Sequence, residues 1–127
     1  MKRIVVPTDF SRESERAFLP AAELARRLGE GIVLLHVVRE PSMLVGASPG
    51  TGSPIPQPDV KSEKVEAEAS LRALRSRFAD TDLKLEVRVN SNPAQAIADY
   101  AREIDASAIA IATHGRSGLR RLVLGSV

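Results

Sequence analysis

The chain of 127 residues contains no cysteine and no tryptophan. Without thiols it can hold no disulfide, no thiolate nucleophile and no cysteine-bound metal. Aromatic residues make up only 3%, too few to furnish stacking platforms for single-stranded nucleic acid. No apolar run approaches the roughly 18 residues of a membrane span. The opening Met-Lys-Arg leads into a short apolar run that meets Asp9 at once, too early for a secretory leader. Two phosphate-binding signatures are also missing. There is no Gly-x-x-x-x-Gly-Lys loop, and the first turn, Pro-Thr-Asp, has no glycine for a dinucleotide fingerprint. These absences point to a cytoplasmic protein with no membrane or nucleic-acid partner.

What is present is an ordinary globular chain, 43% apolar, with 18 basic and 16 acidic residues and a net charge of +2. The signs are interspersed, as on a solvated surface. One bias stands out: after Asp105 there is no acid, while Arg116, Arg120 and Arg121 follow.

The apolar pattern alternates between strand and helix. Ile4 to Thr8 reads as a short buried strand. A helix is expected from Ser11 to Leu28, capped by Asp9 or Ser11, with Phe18, Ala21, Ala22, Ala25 and Leu28 on its apolar face. Pro20 should kink it or remove a hydrogen bond. Ile32 to Val38 is continuously apolar, the mark of a strand covered on both faces.

Residues 39 to 59, with five prolines and three glycines, read as a long flexible loop. A helix should span Val60 to Phe78, with a seam of Val65, Leu71, Leu74 and Phe78. Leu83 to Val89 alternates strictly and reads as a half-exposed edge strand. Asn92 and Pro93 open another helix as cap and first residue, and "ASAIAIAT" supplies a fourth strand. Leu119, Leu122 and Val123 are expected to pack against the sheet as a short helical turn. The order β-α-β-α-β-α-β implies a doubly wound, parallel, Rossmann-like α/β sheet with helices on both faces, in a single domain of residues 1–127.

In such sheets ligands bind beyond the carboxyl ends of the strands. Here those ends carry Pro7-Thr8-Asp9, Val37-Val38, Asn90-Ser91-Asn92 and Thr113-His114-Gly115. Asp9 offers an acceptor to an amine or a ribose hydroxyl. Gly115 and Gly118 let backbone amides approach an anion. Arg116, Arg120 and Arg121 add positive charge, and the hydroxyls of Ser117 and Ser126 can bond phosphate oxygens. His36 reads as a packed core histidine, His114 as a ligand contact, and two histidines so placed make a poor metal site.

The stretches "VPTDFS", "LLHVV", "NPAQAIADYA" and "ATHGRSGLRRLVLGSV", in this order and spacing, resemble the universal stress protein family over the whole chain. The resemblance implies strand order 3-2-1-4, with a fifth strand absent from this chain. It also implies a stress-response regulator holding ATP, or another adenine nucleotide, with or without Mg2+, at the carboxyl ends of strands 1 and 4. By that resemblance Pro7, Thr8, Asp9 and Val38 meet adenine. His114, Gly115, Gly125, Ser126 and Val127 meet ribose and phosphates, and Ala112 takes the first position of the family's Gly-x-x-Gly-x9-Gly-Ser/Thr signature. Arg116 and Gly118, read above from charge and close backbone approach, join the same expected site.

Two residues depart from the nucleotide-binding pattern: Ala112 replaces a glycine, and Ser91 stands where relatives often carry one. The family pattern continues past Val127 into a helix and a final strand that commonly pairs in a homodimer, so the sequence is expected to stop short of the full fold. A non-nucleotide dimerisation or interaction module is the alternative. A slow ATP hydrolase is the lesser one, since no paired carboxylates, activated nucleophile or P-loop lysine appear.

Overall fold

A computed structural model describes residues 1–40, 60–112 and 122–125, the last as backbone. The loop expected over 39–59 therefore lies almost wholly outside the described residues. The elements are β1 (Arg3–Pro7), α1 (Arg12–Glu15), α2 (Phe18–Leu28), β2 (Gly31–Arg39), α3 (Val60–Ala73), β3 (Leu83–Asn90), α4 (Pro93–Glu103), β4 (Ala108–Ala112) and β5 (Leu122–Gly125). A 3-10 turn at Arg75–Phe78 follows α3. The sheet runs β3-β2-β1-β4-β5, and its first four strands pair in parallel, giving the 3-2-1-4 order.

β5 is the first departure from expectation. It pairs antiparallel with β4, Leu122 opposite Ala112 and Gly125 opposite Ile109. Leu122 and Val123 are thus strand residues, not a helical turn, and among the described residues an antiparallel strand is added to the expected parallel four; Leu119 lies outside the described residues. The bare edge of β4 explains the difference. Its unpaired amides and carbonyls are a template that a returning β-branched and apolar segment satisfies.

Alternation along the strands sends side chains to two cores. Ile4, Val6, Ile32, Leu34 and Ala110 join Phe18, Ala21 and Ala25 of α2 and Leu71 of α3 on one face. Val5, Val33 and Leu35 join Tyr100 and Ala101 of α4 on the other. Both faces of the central strands are covered, which is why they read as continuous apolar runs. β3 is an edge, as its strict alternation foretold: Leu83, Leu85 and Val87 pack toward one core while Lys84, on the opposite face, is exposed.

The single helix expected over 11–28 is two. Ser11 caps α1, its Oγ accepting from the Ser14 amide at 3.2 Å. The chain breaks at Arg16 and Ala17 and restarts as α2. Pro20 is the third residue of α2, and the first amide to bond back is that of Ala21, to the Ala17 carbonyl at 3.0 Å. The proline therefore sits where its missing N–H costs nothing, and the break at Arg16 and Ala17, three to four residues upstream, replaces the kink. Gly29, at φ 66°, ends α2 in the left-handed conformation favoured by glycine.

The seam of α3 also shifts. Ala67, Leu71 and Phe78 are buried, with Leu74 packed beside them, but Val65 is 61% exposed. Six residues separate Val65 from Leu71, which places the two about 120° apart around a 3.6-residue helix. α4 begins as expected: the Asn92 side chain accepts from the Gln95 amide at 3.2 Å, with Pro93 as first residue.

Candidate functional site

The β1-to-β2 connection passes over the α2/α3 face and the β3-to-β4 connection over the α4 face, so the winding reverses between β1 and β4. Beyond the carboxyl ends of these strands lies a cavity of about 420 Å3, within the range of small-molecule sites. Its floor is apolar, formed by Pro7, Leu35, Val37, Ile97 and Ile111. Its rim is polar, with Thr8, Asp9, Ser11, Ser14, His36 and Arg39. Pro93 and Ala112 complete the described lining.

The turn after β1 builds most of the rim. Thr8 is 5% exposed and its amide donates to the Leu35 carbonyl at 2.8 Å, the last rung between β1 and β2. Its Oγ1 shares a hydrogen bond with the Ser14 hydroxyl at 2.8 Å and accepts from the Phe10 amide at 3.0 Å. Phe10 is left-handed at φ 69°, an uncommon state for a residue with a side chain, and one that must be held by its surroundings.

Asp9 is exposed, and its Oδ1 accepts from both the amide (2.9 Å) and the hydroxyl of Ser11. The Ser11 hydroxyl, aided by backbone and Ser14 hydrogen bonds, holds the carboxyl below its usual pKa against a smaller opposing effect of burial. Asp9 thus supports the Ser11 cap and presents a carboxylate to the crevice at the same time. It is the one carboxylate among the described lining residues, and no group of three or more potential metal-binding side chains occurs among the described residues.

Of the residues chosen from sequence, Pro7, Thr8, Asp9 and Ala112 meet in this crevice. Val38 does not line it. It is 3% exposed in the α2/α3 core, and its neighbour Val37, one step along the strand and therefore on the other face, lines the crevice instead. Gly125 stands opposite Ile109, three residues from Ala112 and so roughly 10 Å back along β4, away from the carboxyl-end opening. The pairing of β5 thus separates Gly125 from the crevice that the closing signature was expected to share with Asp9. His114, Gly115, Arg116, Gly118, Ser126 and Val127 lie outside the described residues, as do Ser117, Arg120 and Arg121. Ser91 is exposed and is not part of the described lining, so only Ala112 of the two departures bears on the cavity.

Sequence reasoning places Val37 at a strand end without selecting it, and misses Ser11, Ser14, Leu35, Ile97 and Ile111 as lining residues. Each has a local explanation, as cap or as core residue, and only the stacking of α4 over the sheet reveals which face the crevice opens on. From its place in an apolar run, His36 is expected in the core. It is half-buried, lines the crevice, and bonds to the Thr8 carbonyl.

Residues 1–127 match the universal stress protein family. The chain is 31% identical over 129 residues to universal stress protein MJ0531 of Methanocaldococcus jannaschii, covering 99% of this chain and 72% of that protein. Among solved structures it resembles the universal stress protein of Archaeoglobus fulgidus in complex with dAMP, at 27% identity and TM-score 0.57, over 86% of this chain and 78% of that one. It also shares the fold of a universal stress protein in complex with cAMP, at 21% identity and TM-score 0.67, over 93% and 80% of the two chains. The doubly wound sheet, the strand-end crevice and the match along its whole length together establish that this chain belongs to the universal stress protein family.

Proposed function

We propose that this protein is a stress-response regulator that binds ATP or another adenine nucleotide at the carboxyl ends of β1 and β4. The observation that carries the reading is the crevice at the point where the sheet's winding reverses. An apolar floor of Leu35, Val37, Ile97 and Ile111 suits the faces of a purine, and the Asp9 carboxylate at the rim suits an exocyclic amine or a ribose hydroxyl. The dAMP complex of the Archaeoglobus fulgidus relative supports the same ligand class. The positive segment around Arg116, Arg120 and Arg121 supplies charge suited to phosphates, with or without Mg2+. Binding is the activity proposed for the crevice.

The test is calorimetric titration of Mg-ATP and of dAMP into protein stripped of co-purified nucleotide. Saturable binding at micromolar strength supports the proposal. Absence of heat with either nucleotide, in protein that is folded by circular dichroism, refutes it.

A further inference from the structure

His36 does something that its place in an apolar strand does not require. The β1–β2 ladder has its last paired residues at Pro7 and Leu35. One step on, the Thr8 carbonyl stands where a continued parallel ladder would bring a β2 amide, and Nδ1 of His36 meets it at 2.8 Å. A carbonyl can only accept, so Nδ1 must carry the proton and Nε2 must hold the lone pair of the neutral ring. The same ring lies against Phe10, centroids 4.5 Å apart and planes at 33°. Phe10 is the residue held at φ 69°, and its amide is bonded back to Thr8 Oγ1. Asp9 lies between these two anchored residues.

We infer that His36 is a positioning residue for the crevice: its Nδ1–H bond to the Thr8 carbonyl and its stacking on Phe10 clamp the turn that presents Asp9. The side chain takes the place of a strand amide, which lets β1 leave the sheet at Thr8 without an orphaned carbonyl and fixes the direction in which it leaves. Adding a proton at Nε2 leaves Nδ1 a donor, so the clamp holds in both charge states. Its effect on ligand rests on the reading of the crevice as a nucleotide site; the clamp itself does not.

Two substitutions separate the bond from the packing. In His36→Asn the side-chain amide can take over the Nδ1 donor but the ring is lost. In His36→Leu the apolar contact with Phe10 remains but the donor is lost. Long-range proton–nitrogen correlation spectra of the free wild-type protein should show Nδ1 protonated; the tautomer with Nδ1 bare and Nε2 protonated overturns the inference. Amide exchange at Phe10 and Ser11 should quicken by about tenfold in His36→Leu, as expected for loss of one such bond, and stay near wild type in His36→Asn. Equal exchange in wild type and His36→Leu overturns it.

Affinity for dAMP should follow the same order, about tenfold weaker in the leucine variant and recovered in the asparagine variant. Loss in both variants would mark simple packing and overturn the clamp. If wild type binds no nucleotide while the tautomer and exchange pattern hold, the clamp stands and the proposed function falls.

Discussion

Replacing Asp9 with alanine removes two interactions of different worth. The carboxylate accepts from the Ser11 amide and hydroxyl at the entrance to α1. That contact is exposed and the helix it supports is four residues long, so its loss should cost no more than about 0.5–1 kcal/mol of stability. Toward a ligand the same carboxylate faces a half-enclosed crevice, where a hydrogen bond to a charged group contributes about 1.5–3 kcal/mol. Converted to affinity, Asp9→Ala should weaken adenine-nucleotide binding roughly 10- to 150-fold. Asp9→Asn, which keeps an acceptor for Ser11 but loses the charge, should fall between.

Calorimetric titration reads the affinity and urea unfolding reads the stability on the same preparations. The pH dependence adds a check. A carboxyl depressed in the fold contributes stability above its unfolded value of about 4, and that contribution is lost as pH falls through the lower folded value. Asp9 should therefore stay ionised and add no pH dependence of its own between pH 5 and 8. Unchanged affinity in Asp9→Ala would refute the role assigned to the carboxylate. A stability loss of several kcal/mol would show instead that the turn, and not the ligand, depends on it.

Three further outcomes are expected. Ile97→Trp places an indole on the crevice floor beside an open cavity, so it should lower nucleotide affinity by about tenfold or more while leaving the urea midpoint nearly unchanged; calorimetry and unfolding check both halves. Phe18, 1% exposed and stacked on Phe78 at 5.0 Å, should cost about 3–5 kcal/mol when replaced by alanine, measured by urea unfolding. Tyr100, the chain's one tyrosine, has its pKa raised first by burial and then by the nearby Glu86 carboxylate. Its neutral form contributes stability present below about pH 10 and lost as pH rises through the folded value, so ultraviolet difference spectra should show phenolate forming later than in the unfolded chain.

Local patterns gave away the parts of the fold that local physics controls. The continuous run of β2, the strict alternation of β3 and the Asn92-Pro93 start of α4 each read correctly, because periodicity and capping are decided within a few residues. The strand-end turn and Asp9 followed from the same order of elements. The harmless seat of Pro20 depended on where a helix restarts, which a break at Arg16 and Ala17 settles without a sequence signal of its own. The shift of the α3 seam from Val65 to Ala67 depended on which side of that helix meets the sheet.

The sequence by itself therefore determined the alternation of strand and helix, the family, and the presence of an acceptor at the end of β1. Tertiary structure decided which face of β2 the crevice uses, choosing Val37 over Val38, because α4 covers one face and α2 and α3 the other. It decided that Leu122–Gly125 closes the β4 edge as an antiparallel strand, which carries Gly125 away from the crevice. It also turned His36 from a residue in an apolar run into the cap of the Thr8 carbonyl. That contact joins residues 28 positions apart, and no local pattern encodes a bond whose partner is supplied only when two strands lie side by side.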